Sequence, residues 1–175
     1  MKTKILSLIA LASVAFTSCE ALDELLNFSL EQTFSILVPA ATTEDEDIII
    51  VETIETNAAQ KFEEYKTTAD LIKEIKLDQL TLTITDADKT FDFLKSVNVY
   101  IASSETSDDK ILLVSKSDIN STDTTLDLTT SKEGLAKYVK GDQFTLFFEG
   151  KAAKEMIDAI NVDVKIKFKV TANPL

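Results

Sequence analysis

Residues 160–170 read INVDVKIKFKV, and the alternation in this stretch decides the fold of the chain. Apolar side chains occupy every second position, namely Ile160, Val162, Val164, Ile166, Phe168 and Val170. The positions between them are polar or charged, namely Asn161, Asp163, Lys165, Lys167 and Lys169. A period of two is typical of a β-strand with one buried face and one solvated face. At ~3.3 Å per residue, such a strand can run the full height of a sheet.

Seven further segments carry strand patterns, at residues 28–38, 48–54, 75–84, 97–101, 111–114, 126–128 and 144–148. In the third of these, the apolar residues change from odd positions (Ile75, Leu77) to even positions (Leu80, Leu82). This change of parity predicts a β-bulge near Asp78. Short helices are predicted between strands, with capping residues at Asn57, Thr67 and Ser131.

About eight strands without a strict βαβ alternation indicate a mostly β fold. We expect two antiparallel sheets packed as a sandwich, immunoglobulin-like in architecture, with two or three short connecting helices. The Cys–Trp–Cys signature of antibody domains is absent, because the chain has one Cys and no Trp. A chain of 175 residues suits a single domain, which we place at residues 28–175.

The N-terminus has the pattern of an export signal. Lys2 and Lys4 precede an apolar run at residues 5–16, and Cys19 follows directly after Phe16-Thr17-Ser18. The apolar run is too short to span a bilayer, which needs roughly 20 residues, and it has the length of a signal peptide.

The single cysteine after this run resembles the lipobox of bacterial lipoproteins, although Phe16 stands where Leu is usual. The resemblance implies cleavage of residues 1–18, lipidation of Cys19 and a short tether over residues 19–27. A plain signal peptide with an incidental cysteine is the alternative. Residues 71–170, including ITDADKTFDFLKSVNVYI at 84–101, resemble all-β lipoproteins of the Bacteroidetes whose role is uncharacterised. That resemblance implies a place in the cell envelope, at the outer membrane, on either its periplasmic or its surface side.

Composition excludes several classes of function. The chain has no His and no Arg, so a Ser-His-Asp triad and an arginine phosphate clamp are both excluded. A formal net charge of −12 disfavours nucleic acid as a partner. Ser107 and Lys110 match the S-x-x-K pattern of penicillin-binding enzymes, but no K-T-G follows. We therefore expect a protein that is not an enzyme.

Three candidate sites remain besides Cys19. The strand geometry places Lys165, Lys167 and Lys169 in a line at intervals of about 7 Å, where they could meet an anionic partner or pair with acids on neighbouring strands. Acidic loops, with Asp86 and Asp88 as the first choice, could supply the oxygen ligands of calcium, or they could be plain solvated turns. Thr124, in Asp123-Thr124-Thr125, resembles the O-glycosylation site of exported Bacteroidetes proteins.

These features predict a lipid-anchored envelope protein whose β-sandwich binds a protein or glycan, or positions another macromolecule, without chemistry or a cofactor of its own. The alternative is a calcium-dependent carbohydrate-binding or adhesion module that uses the Asp-rich loops. The two differ in whether calcium stabilises the fold.

Overall fold

The computed structural model describes residues 26–119, 121–128 and 133–174, and within them it contains eight β-strands. The strands are β1 (Asn27–Val38), β2 (Asp47–Glu55), β3 (Ile72–Ile84), β4 (Leu94–Ala102), β5 (Ile111–Lys116), β6 (Thr125–Leu128), β7 (Gln143–Ala152) and β8 (Ile160–Ala172). Two short α-helices, α1 (Ala58–Glu64) and α2 (Ala136–Val139), and two 3-10 turns (Ala69–Leu71 and Phe91–Phe93) lie between strands. Each of the eight predicted strand segments is confirmed.

The strands form two antiparallel four-stranded sheets, in the order β1-β8-β3-β6 and β2-β7-β4-β5. The predicted mostly β, two-sheet sandwich with short connecting helices is therefore confirmed. Within the described chain, β4 and β5 are consecutive strands of one sheet, and every other connection crosses between the sheets.

The pairs β1–β8, β2–β7, β3–β6 and β4–β5 are nested, as if one long hairpin had been folded over. This is the connectivity of an eight-stranded jelly roll. In immunoglobulin domains the first strand pairs with the second, so the likeness to them is one of architecture and does not extend to strand order.

The core lies between the sheets and is built by the alternation seen in the sequence. Along β8 every even-numbered residue from Ile160 to Ala172 is buried, and the residues between them are half-buried or exposed. Phe144 on β7 and Phe168 on β8 meet edge to face, with 5.8 Å between ring centroids. Because β7 and β8 belong to different sheets, this aromatic contact joins the two layers.

The predicted bulge in β3 is confirmed. The register of β3 against β8 shifts between Leu77 and Gln79, and Asp78 is the extra residue. On one side of the bulge Ile75 and Leu77 are buried, and on the other side Leu80 is buried. A single extra residue thus keeps both apolar parities of β3 facing the core.

Helix α1 forms where it was predicted and begins after the predicted cap Asn57, although the side-chain bond expected of that cap is missing. Asn57 is the N-cap and makes no side-chain hydrogen bond to the helix. At the C-terminal end, Lys66 has a left-handed backbone with φ of 52°. Its N–H donates to the Glu63 carbonyl at 3.0 Å, and the Thr67 N–H donates to the Phe62 carbonyl at 2.9 Å. These two bonds are the Schellman motif, in which glycine usually occupies the position of Lys66.

We expect Lys66→Gly to stabilise the protein. A left-handed conformation costs a residue with a Cβ roughly 1–2 kcal/mol, and part of that gain is lost because glycine has more freedom in the unfolded chain. The net rise in the free energy of unfolding should be about 0.5–1 kcal/mol in urea denaturation. Gln60→Gly, inside the same helix, is the control and should lower it by about 1 kcal/mol. A loss of stability for Lys66→Gly would contradict the assignment.

The other predicted helical caps are revised. The turn at Ala69–Leu71 has Thr68 as its N-cap, without a side-chain bond, so the capping box predicted from Thr67 is not formed. Helix α2 is one turn long and follows Leu135, which is fully buried. Ser131, its predicted cap, lies outside the described residues.

Candidate functional site

Four loops lie together at the end of the sandwich opposite to Asn27. They comprise residues 39–46, 85–93, 117–124 (except residue 120, which is not described) and 153–159. Val38 pairs with Ile160 at the far end of β1, so β1 carries the chain from one end of its sheet to the other. Ala41 then bonds to Met156 through both backbone groups, at 3.0 and 2.7 Å. Asp86, Asp88 and the other acidic residues of these four loops therefore share one end of the molecule, which we call the loop end, whereas the acidic loop at Asp108 and Asp109 lies at the other end.

A cleft of about 340 Å³ opens at the loop end between residues 88–93 and 154–160. Lys89 lies 3.8 Å from Asp158, and Lys154 lies 2.6 Å from Asp92. Ile157, in the cleft wall, is 84% exposed. Because both ammonium groups already face carboxylates, the cleft suits a partner that offers hydrogen-bonding groups and an apolar contact. Four acidic residues and two lysines line it, so a small excess of negative charge remains.

Asp86 and Asp88, the predicted calcium ligands, have different surroundings. Asp86 accepts hydrogen bonds from the side-chain amide of Asn161 at 3.0 Å and from its backbone N–H at 2.7 Å, and these bonds lower the pKa of Asp86. Asp88 is exposed and has a left-handed backbone, with φ of 59°. Across residues 26–119, 121–128 and 133–174, no group of three or more His, Cys, Asp and Glu residues is placed to hold a metal ion. The carboxylate of Asp86 joins its loop to the start of β8.

The acidic loop at residues 44–47 folds on its own backbone. Glu46 accepts hydrogen bonds from the N–H and hydroxyl of Thr42, at 2.6 and 3.0 Å, and from the N–H of Thr43 at 3.2 Å. The Thr42 backbone bond is the main reason that the pKa of Glu46 is lowered. Asp45 pairs with Lys95 on β4 at 2.7 Å. These carboxylates therefore stabilise the turn that leads into β2.

The three lysines of β8 stand on the outer face of the first sheet, as predicted. Lys165 pairs with Glu31 of β1 at 2.9 Å, and Lys167 pairs with Asp78 of β3 at 3.2 Å. Lys169 has no carboxylate within 4 Å in the described part of the chain. Two of the three positive charges are thus compensated by acids on neighbouring strands. Of the two roles that the sequence allowed for these lysines, this is the pairing role and not contact with an anionic partner.

Of the two predicted modification sites, Thr124 and Cys19, the structure describes Thr124 alone. Thr124 is exposed immediately before β6, and its carbonyl oxygen accepts a hydrogen bond from the N–H of Ile84 at 2.8 Å. Cys19, the predicted signal peptide and most of the predicted tether lie outside the described residues. Among the described residues, no helix has the length and hydrophobicity needed to cross a bilayer.

A row of apolar side chains crosses the outer face of the second sheet, and the sequence analysis did not identify it. Each of the four strands contributes one residue, and the register sets them side by side: Val51, Phe147, Tyr100 and Leu112. Leu112 is 44% exposed at one end of the row, and Ile49, next to Val51 on its strand, is 63% exposed. In the sequence, Phe147 and Tyr100 alternate with the buried residues of their strands. That alternation is the signal that places both rings on the outer face.

Lys110 lies over the middle of this row. Its ammonium nitrogen is 4.4 Å from the ring centroids of both Tyr100 and Phe147, and it also pairs with Glu149. Cation–π attraction and the ion pair hold the lysine stem against the two rings. The apolar surface that remains exposed on this face therefore lies mainly on the two edge strands, β2 and β5.

Asp109 is the centre of a hydrogen-bonded cluster at the other end of the sandwich. Its carboxylate accepts from Lys137 at 2.5 Å, from the N–H of Ser103 at 3.0 Å and from the hydroxyls of Ser103 and Ser107. The bond from Lys137, followed by those from the serines, holds the pKa of Asp109 well below its usual range. Ser107 therefore contacts Asp109, whereas Lys110 contacts Glu149, so the two ends of the S-x-x-K match meet different carboxylates.

Replacing Asp109 with Asn should change how stability depends on acid. The pKa of Asp109 is lower in the folded chain than in the unfolded chain, where it is about 3.9. The ionised Asp109 therefore makes its full contribution to the free energy of unfolding above about pH 4, and this contribution is lost as the pH falls further. Wild type should exceed Asp109→Asn in free energy of unfolding at neutral pH, and the difference should shrink below about pH 4 in urea titrations. Asp108→Asn makes the same charge change outside the cluster and is the control. A constant difference would contradict the prediction.

Comparisons with known proteins give no family for this chain. No protein-family description matches it, and no curated protein matches it. Solved structures with some similarity include a chain of desmodium yellow mottle tymovirus, at 11% identity and a TM-score of 0.28, over 85% of this chain and 90% of that one. A chain of black queen cell virus has 15% identity and a TM-score of 0.26, over 98% and 82% of the two chains. TM-scores this low carry no argument about this protein.

Proposed function

We propose that this chain is a lipid-anchored protein of the bacterial cell envelope, at the outer membrane, whose β-sandwich is a non-catalytic binding or structural module. The observation that carries the proposal is the N-terminal sequence, in which Lys2, Lys4 and an apolar run lead to Cys19, the one cysteine of the chain. Two or more acyl chains on that residue would anchor the protein stably, whereas one binds only marginally.

The position of the loop end supports a binding role. Asn27 is eight positions after Cys19, and at ~3.3–3.6 Å per position this stretch of chain reaches less than about 30 Å. A tether this short holds the Asn27 end of the sandwich near the bilayer. The thirteen residues of β8 then extend roughly 40 Å, so the four loops lie on the side away from the membrane. There they would meet a protein or glycan partner.

Cys19→Ala tests the anchor in the full chain. We expect wild type to fractionate with membranes and to carry acyl groups on residue 19 by mass spectrometry, and the variant to leave the membrane fraction. Ser18→Ala, which keeps the cysteine and a small residue before it, is the matched control and should remain anchored. An unmodified thiol in wild type, or a Cys19→Ala variant that still fractionates with membranes, would count against the anchor.

A second pair of variants tests which surface meets the partner. Ile157→Asp changes the loop end, where the side chain is 84% exposed, and Leu37→Asp changes the outer face of β1, where it is 57% exposed. In pull-downs from intact envelopes with Cys19 retained, partners captured by wild type should be lost with Ile157→Asp and kept with Leu37→Asp. The reverse pattern would place the binding surface on the sheet.

A further inference from the structure

The outer edge of β2 carries backbone groups that no neighbouring strand satisfies in the described chain, because β2 is the edge strand of its sheet. On the side that faces β7, every second residue of β2 makes the hydrogen bonds between the two strands. The Thr56 N–H donates to the Asp142 carbonyl at 2.8 Å, and the Ala152 N–H donates to the Glu46 carbonyl at 3.0 Å. Both bonds fit the unbroken register of the two strands, so even-numbered residues of β2 bond to β7. Successive residues of a strand point their backbone groups to opposite sides, so those of the odd-numbered residues point outward.

The same odd-numbered residues also expose apolar side chains. Ile49 is 63% exposed and Val51 is 36% exposed, and Thr53 follows them on the same face. Natural edge strands are commonly protected by lysine, proline, a bulge or short length. Strand β2 lacks these four devices, since it is nine residues long, contains neither Lys nor Pro and pairs without a register shift. Its charged residues are Asp47 and Glu55 at the two ends and the half-buried Glu52 on the inner face, so the centre of the outward face, at Ile49 and Val51, carries no charge.

The other edge strands are better protected. Strand β5 has six residues and a register shift against β4, and β6 has four residues. Strand β1 is longer, but the middle of its outer face carries the polar residues Glu31, Thr33 and Ser35. Strand β2 is therefore the edge at which addition of another strand would cost least.

We propose that β2 is a self-association edge, at which a second copy of this chain pairs its own β2 in antiparallel orientation to form one continuous eight-stranded sheet. A two-fold axis at Ile50 places Ile49 of each copy opposite Val51 of the other copy, and both pairs are hydrogen-bonded. Asp47 then lies opposite Thr53 of the second copy. This register uses the outward backbone groups, matches apolar side chains and places no like charges directly opposite each other within β2.

The neighbouring register is less favourable. An axis at Val51 would also use the outward backbone groups, but it would place Asp47 opposite Glu55 of the second copy at both ends of the new pair. Like charges directly opposite each other destabilise a strand pair. The charges at the ends of β2 therefore favour the axis at Ile50 over the axis at Val51.

Sedimentation of the purified full chain, with the same detergent in every sample, tests the association. Wild type should show twice the mass of its own monomer at high concentration. Val51→Lys should remain monomeric, because it places a charge in the centre of the edge. Leu112→Lys makes the same charge change at the other edge of the same sheet and should still dimerise. If Val51→Lys fails to fold by circular dichroism, Ile49→Lys replaces it.

A monomeric wild type would overturn the proposal. Loss of the dimer in Leu112→Lys would also overturn it, because the apolar row and not the edge would then be the contact. Association through the apolar N-terminal segment would survive both lysine variants, and that result would overturn the proposal as well.

Cross-linking tests the register in a Cys19→Ala background. Opposite residues of a hydrogen-bonded pair lie about 5.5 Å apart between Cα atoms, which suits a disulfide. We expect Ile49→Cys with Val51→Cys to form covalent dimers on oxidation, and Val51→Cys alone to form few. Efficient cross-linking by Val51→Cys alone would overturn the axis at Ile50.

Discussion

Ile166→Asp is expected to leave the protein unfolded or close to it. Ile166 is fully buried, and β8 is hydrogen-bonded on both sides, to β1 and to β3. Its direct neighbour on β3, Leu80, is also fully buried. A carboxylate there would have no partner and no water, and such a substitution costs at least about 4 kcal/mol. Typical domains have only about 5–15 kcal/mol in total.

The matched control lies on the other face of the same strand. Lys169→Asp places the same side chain opposite Lys76 of β3, where an acid meets a cation and remains in solvent. Its effect on the free energy of unfolding should stay within about 0.5 kcal/mol. Circular dichroism and urea denaturation of both variants provide the measurement. Similar losses for the two variants would mean that the alternation along β8 does not separate core from solvent.

Phe144→Ala is expected to have the next largest effect. Phe144 is fully buried and makes the edge-to-face contact with Phe168 between the two sheets. Truncation removes the apolar area of the ring and leaves a cavity, for which the cost is about 3–5 kcal/mol. Urea denaturation should show a lower midpoint with an unchanged slope, because the loss is one of stability and not of compactness.

Phe147→Ala is the internal comparison, because it removes the same ring from the outer face of the same strand. The Phe147 ring is half-buried beneath Lys110, so its loss should cost clearly less than that of Phe144. The double variant of Phe144 and Phe168 should reveal a coupling of about 0.5–1.5 kcal/mol between the rings. Equal losses at Phe144 and Phe147 would contradict the assignment of the core.

The strands could be predicted because the alternation of apolar and polar side chains along each strand shows which of its faces is buried. The alternation along β8 and the parity change around Asp78 follow directly from burial of one face, and burial is a local property of a strand. Strand order is not local. The alternation at β1 states that one face is buried, but it does not state that the neighbour is β8 and not β2.

Contacts of the candidate site residues could be predicted less well, because they depend on that order. In a chain with 30 acidic residues, the sequence could not show that Asp86 is engaged by Asn161 or that Asp109 is engaged by Lys137. Pairing of the β8 lysines with acids was foreseen as a class, because acids are abundant, but the partners Glu31 and Asp78 follow only from the sheet order.

The nesting of the strands also governs when the fold can close. Asn27 and Thr171, 144 positions apart, are bonded through their side chains, and among the strands that the structure describes β1 has β8 as its one neighbour. Contacts between such distant parts of a chain make folding slow, on the scale of milliseconds to seconds. During synthesis, β1 cannot pair with β8 until the chain has been made as far as Ala172. Until then its apolar side needs shielding from other chains, so a chaperone that holds the nascent protein would be most useful at β1.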